Sequence, residues 1–151
     1  NKGGERSGFP LLQNNNPMAI LNTGINWQGL ASENPNPTWE AFSSMPYGWR
    51  AALLNGRAYV QEMPAMDLND FIYYWAMGGQ GDRPNNYANF VAQRTGRPLN
   101  LSMKPLFDNR DMGALWDIYR AMAIFESSND STPLIDELYN DFTQGFSLAF
   151  S

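Results

Sequence analysis

Asn109-Arg110-Asp111-Met112-Gly113-Ala114-Leu115-Trp116-Asp117-Ile118-Tyr119-Arg120-Ala121-Met122-Ala123-Ile124-Phe125-Glu126-Ser127 is the stretch on which the fold turns. Met112, Leu115, Tyr119 and Met122 recur at intervals of three and four, the period of one helix face. Trp116, Ile118 and Phe125 widen that face beyond a single stripe. A helix over Asn109 to Ser127 with so broad an apolar surface is expected at the centre of the molecule. Asp108 is the expected cap, with Asp111 in the first turn, where carboxylates meet free backbone N–H groups.

The same periodicity extends outward. Leu68, Phe71, Ile72 and Trp75 make one stripe of a helix from Leu68 to Met77, with Asp67 as N-cap, Asp70 three residues on and Gly78-Gly79 as its stop. Tyr87, Phe90, Val91 and Arg94 mark a face of a helix from Asn86 to Thr95, ended by Gly96. Pro46 opens a helix over Tyr47 to Val60, and Pro133 opens another to Phe142. Five helices make the chain mainly α. Ile25–Gln28 and Trp39–Phe42, joined by Asn34-Pro35-Asn36-Pro37, read as a small two-stranded β element that must pack on helices. The alternating Gly145–Phe150 stretch reads as a short strand or an extended tail against a partner.

The first 24 residues, rich in Gly, Asn and Pro, read as an irregular arm with a turn at Asn14-Asn15-Asn16-Pro17. The expected organisation is an arm over 1–24, a helical domain over 25–127, and a C-terminal helix and tail over 128–151 that packs on the domain or a partner. A chain of 151 residues suits a single core.

Composition narrows the chemistry. With 15 acidic against 10 basic residues and no basic run, the surface has no general attraction for nucleic acid. The absence of Cys and His removes disulfides, thiolate nucleophiles, Ser-His-Asp triads and His-ligated metals. No cofactor or metal is expected. No stretch is long and apolar enough for a membrane span, and no signal peptide is visible.

Carboxylates therefore carry any acid–base chemistry. Glu126 ends the central helix, where the helix dipole disfavours its charge, and is a candidate general acid. Glu40, between Trp39 and Phe42, is a candidate partner carboxylate. Trp27, Trp39 and Tyr74 are candidate platforms for sugar rings, whose C–H faces stack on aromatics, while Trp49 and Trp75 are assigned to the core. Asn15 and Asn16 are candidate substrate contacts, and equally a turn scaffold.

The order of features adds a resemblance. Asn14-Asn15-Asn16-Pro17-Met18-Ala19-Ile20 resembles the NNNPGNI motif of phage-encoded lysozyme-like and virion structural proteins. Trp27-Gln28-Gly29, the Phe42 to Ala51 stretch, Asp70–Ala76, Asn86–Gly96 and Leu115–Glu126 look like that family's later motifs, in order. The resemblance covers residues 14 to 127. It implies a lysozyme-like helical domain. Glu5-Arg6-Ser7-Gly8-Phe9 looks like the segment in which bacterial glucosaminidases and lytic transglycosylases place their general acid, which implies that role for Glu5. The chain departs from the pattern at Met18-Ala19 and Met77, where a groove would lie. The expected function is a virion-associated structural or accessory protein with reduced or absent catalysis. The alternatives are a peptidoglycan hydrolase using a glutamate acid and a glycan-binding module. Expected partners are other proteins of an assembly, including further copies of the chain, and peptidoglycan strands. The expected location is the virion or the extracellular or periplasmic side of a bacterial cell.

Overall fold

The computed structural model describes residues 6–77 and 83–151. In chain order the helices are α1 (Pro10–Gln13), α2 (Met45–Glu62), α3 (Leu68–Trp75), α4 (Arg83–Thr95), α5 (Lys104–Asp108), α6 (Met112–Ser127), α7 (Thr132–Asp136) and α8 (Tyr139–Ala149), with a 3-10 turn at Asn129–Ser131 before α7.

Helix α6 is the centre, as its pattern requires. Ala114, Leu115, Ile118, Tyr119 and the run from Ala121 to Ile124 are all buried in it. Its start is three residues later than expected. Arg110 takes a positive φ of 52°, which interrupts the helix, so Asp108 ends α5 and Asp111 becomes the cap. The Asp111 carboxylate accepts the Ala114 N–H at 3.1 Å. At α3 the expected cap is present in full. Asp67 accepts from the Asp70 N–H at 2.8 Å, and Asp70 accepts from the Asp67 N–H at 3.2 Å. This reciprocal pair satisfies two N–H groups that the first turn leaves free.

Helix α2 runs beneath α6 and α8. Trp49, fully buried, meets Phe142 of α8 edge-on at 5.3 Å and Trp116 of α6 at 5.9 Å between ring centroids. Such edge-to-face pairs add to the gain from burial alone. Gly145 lets α8 approach: a Cβ there would lie 2.6 Å from the Pro46 carbonyl oxygen and 2.8 Å from Trp49 Cβ. The Gly145–Phe150 stretch is therefore not a strand or a loose tail. Most of it is helix α8, with Phe142, Gly145, Ala149 and Phe150 buried.

The expected fold class, a lysozyme-like helical domain with a small two-stranded β element, is corrected. Among the described residues there is no strand, only isolated antiparallel bridges at Leu21–Trp39, Leu30–Phe42 and Asp67–Ser102. The reason lies in side chains that compete with a ladder. Asn34 Oδ1 accepts the Asn36 N–H and Asn36 Oδ1 accepts the Thr38 N–H, winding the linker into successive Asx turns. Ile25–Gln28 itself curls, with Trp27 N–H donating to the Ile25 carbonyl, between Gly24 and Gly29 at φ of 86° and 82°. Single bridges are all that survive.

Candidate functional site

The site is built on the Asn14–Ile20 loop. Asn15 adopts a positive φ of 53°, a conformation Asn tolerates better than most residues. Its amide donates to the Phe42 carbonyl at 3.0 Å and accepts from Arg6 at 3.1 Å. Asn16 is fully buried. Its Nδ2 donates to the carbonyls of Ile20 and Glu40, each at 2.9 Å, and its Oδ1 accepts the Ile20 N–H at 2.8 Å. The amide thus replaces the backbone partners that a strand pair would have supplied. Both asparagines are scaffold, and neither lines a cavity described below.

This loop presents Met18 to α3, where the Trp75 indole N–H donates to the Met18 carbonyl at 2.8 Å. Trp75 stacks on Phe71 at 5.7 Å and meets Tyr59 and Tyr119 edge-on. Two open chambers flank it, sharing Ala19, Leu21 and Trp75 as a common wall. The smaller, about 140 Å³, is bounded by Thr23, Ile25, Trp27, Asn55 and Tyr59. The larger, about 450 Å³, is bounded by Trp39, Ala76, Met77, Arg83 and Glu126. Ala19 holds a positive φ of 57° in the shared wall, a strained setting for alanine.

Glu126 is the carboxylate of this groove among the described residues. It comes from the last turn of α6, and its side chain is 8% exposed. Arg83, at the start of α4, donates to its Oε1 at 2.9 Å. The Tyr87 hydroxyl donates to Oε2 at 3.0 Å. The guanidinium also lies over the Tyr87 and Phe125 rings, at 5.5 and 5.4 Å from their centroids. Burial raises the Glu126 pKa, against the lowering effect of the Arg83 charge and the two hydrogen bonds. Tyr87 is pushed well above its ordinary value by its own burial and then by the neighbouring carboxylate, so it stays a donor.

Linkage converts the Glu126 shift into a stability profile. A carboxyl whose pKa is higher folded than unfolded binds its proton more tightly in the native state, so its contribution falls as pH rises. The stability of wild type relative to Glu126→Gln is expected to be greatest below the ordinary glutamate pKa of 4.5 and to decline as pH rises through the raised value. Urea unfolding of both proteins across that range measures it. A difference that grows with pH would show that Arg83, not burial, dominates.

The other expected site residues separate. Trp27 and Trp39 do line the groove, one in each chamber. Glu40 does not. It is 5% exposed beside the Asn16 loop, its pKa raised by burial, and it borders neither chamber. Tyr74 packs against Tyr59 at 5.7 Å instead of bordering a chamber. Glu5 lies outside the described residues. Sequence reasoning missed Trp75, Tyr59, Asn55, Leu21 and Arg83. Trp75 sits on the same α3 stripe as core residues, and nothing in its spacing separates a groove wall from a core side chain.

The comparisons with known proteins bear on the whole chain. No family model matches it. The chain is 30% identical over 141 residues to Protein P5 of Pseudoalteromonas phage PM2, a match covering 89% of this chain and 81% of that protein. The relation is thus to a phage protein, which is the coarser part of the expected resemblance, while the lysozyme-like motif gains no support from it. No helix among the described residues is long and apolar enough to cross a membrane. Matched over most of both lengths, the chain belongs to the family of Protein P5 of Pseudoalteromonas phage PM2.

Proposed function

We propose that this protein is a virion-associated structural or accessory component with little or no catalytic activity, working through contacts with other proteins of the particle. The observation that carries this reading is the extent of the phage relation, 89% of one chain and 81% of the other. Relatedness on that scale concerns the whole fold and not a module grafted onto it. The groove supports the second half of the reading. Both Glu126 oxygens are already engaged, by Arg83 and by Tyr87, so the carboxyl reaches a bound substrate only by giving up a bond within the protein.

The test is physical association. Particles of the encoding phage, purified on a density gradient and washed in salt, should contain the protein at a constant ratio to genome across the peak. Protein left wholly in the lysate would refute the proposal.

A second reading, hydrolysis or binding of peptidoglycan glycan, is favoured by one observation. A carboxyl with a raised pKa faces a chamber walled by Trp39 and Trp75. Glu126 would deliver its proton to a glycosidic oxygen as the sugar becomes oxocarbenium-like, with water completing the hydrolysis. A peptidoglycan zymogram should then clear with wild type, and Glu126→Gln should lose about 100-fold or more of that activity. Clearing that survives the substitution rules out Glu126 as the acid. Muropeptide binding without clearing favours a binding module.

A further inference from the structure

The segment through Leu21 is paired on one side only. Glu40 N–H donates to the Ile20 carbonyl and Asn22 N–H donates to the Thr38 carbonyl, both at 2.9 Å. Leu21 and Trp39 are therefore the non-hydrogen-bonded pair between two antiparallel bonds. Alternation along an extended chain then turns the N–H and C=O of Leu21 to the opposite edge. Neither group has a partner among the described residues. An unpaired donor and acceptor on one residue match a single residue of another extended backbone.

The surroundings suit such a strand. Six large hydrophobic side chains are exposed among the described residues, and three of them, Leu21, Ile25 and Met77, border the two chambers. That concentration marks the groove mouth as a surface to be covered. Within the ion pair that lines it, the cation is the more accessible partner, the Arg83 side chain being 41% exposed and that of Glu126 8%. The guanidinium has five donor N–H groups, and Glu126 does not exhaust them.

We propose that the groove binds an extended segment of a partner protein, added as a strand along Leu21, apolar at alternate positions and carrying a carboxylate that reaches Arg83. This rests on the reading of the protein as a component of an assembly. Shared backbone bonds supply affinity, while the alternate side chains entering the two chambers and the acid on Arg83 supply selectivity.

The isolated protein is screened against an array of immobilised random peptides of strand length. The selected peptide is then remade with N-methyl groups at successive residues, and again with its acid as the amide. These changes leave the protein untouched, so folding cannot confound them. Expected are selected sequences with alternating apolar residues and an acid, and a Leu21 amide protected from hydrogen exchange on binding. N-methylation at the residue facing Leu21 should weaken binding about tenfold, the loss of roughly one hydrogen bond. The acid-to-amide change should also weaken binding about tenfold in wild type and should have little effect in Arg83→Gln. Failure to select any peptide, indifference to N-methylation, or muropeptides rather than peptides protecting Leu21 would overturn the proposal. Absence of the protein from particles, with peptide binding intact, would count against the assembly reading alone.

Discussion

Asn16→Ala is expected to destabilise the protein by about 3 kcal/mol or more. The side chain is fully buried and makes three hydrogen bonds, all to backbone groups. Truncation leaves the Ile20 N–H unpaired and the Ile20 and Glu40 carbonyls each short of a bond. Each buried group stranded in this way costs about 1–3 kcal/mol, and partial relaxation keeps the sum from adding fully. Urea unfolding followed by tryptophan fluorescence measures the loss. The damage should reach the groove as well, since Met18, which receives the Trp75 indole bond, lies two residues from Asn16. A loss under 1 kcal/mol would mean that water replaces the amide at no penalty.

The second large effect runs against helix propensity. Replacing a helical glycine by alanine ordinarily stabilises by about 1 kcal/mol. Gly56 in α2 should do the opposite. A Cβ there would lie 2.2 Å from the Tyr119 hydroxyl oxygen and 2.9 Å from the Cζ atoms of both Phe71 and Phe107. All three belong to buried aromatic residues of the core, and the Tyr119 hydroxyl is held by its bond to the Ala52 carbonyl at 2.8 Å. Overpacking of this kind costs about 1–3 kcal/mol, and displacing the hydroxyl forfeits about 1 more. Set against the helix gain, Gly56→Ala is expected to lose about 1–3 kcal/mol net. Gly113→Ala is the control, because its nearest contact is Asp111 Oδ1 at 4.0 Å. Thermal denaturation should move the two midpoints in opposite directions.

How much of this was legible depends on whether the signal was local. Helix α6 could be read because its apolar period is set by its own residues, and the α3 cap because both carboxylates lie three residues apart. Asn14–Asn16 could be read as a turn. That Asn16 would be a buried peg could not, because two of its contacts depend on where Glu40 and Ile20 meet. The β element was misjudged for a similar reason: apolar alternation was visible at Trp39–Phe42, but the Asn34 and Asn36 side chains supply the turns that dissolve the ladder. Gly145 misled in the other direction. A glycine opening an alternating stretch reads as the start of a strand or an extended tail, yet here its missing side chain is what lets α8 lie against α2.

At the candidate site, Glu126 was legible from its place at a helix end, and Trp27 and Trp39 from the aromatic faces they offer. The partner of Glu126 was not, since Arg83 is 43 residues away in the chain and only the docking of α4 on α6 brings them together. The groove itself is a product of tertiary packing. Its shared wall joins a residue of the Asn14–Ile20 loop, one of the Leu21 edge and one of α3, and no local pattern connects them.

The seating of α8 over Trp49 also fixes an order of events during synthesis. Helix α2 leaves the ribosome long before Tyr139–Ala149 exists, so the nascent chain carries Trp49 without Phe142 to cover it. Such an exposed aromatic is a point of attachment for chaperones or for other unfinished chains. Completion of the core is thereby postponed until α8 has been made, and crowded expression should favour aggregates rich in incomplete chains.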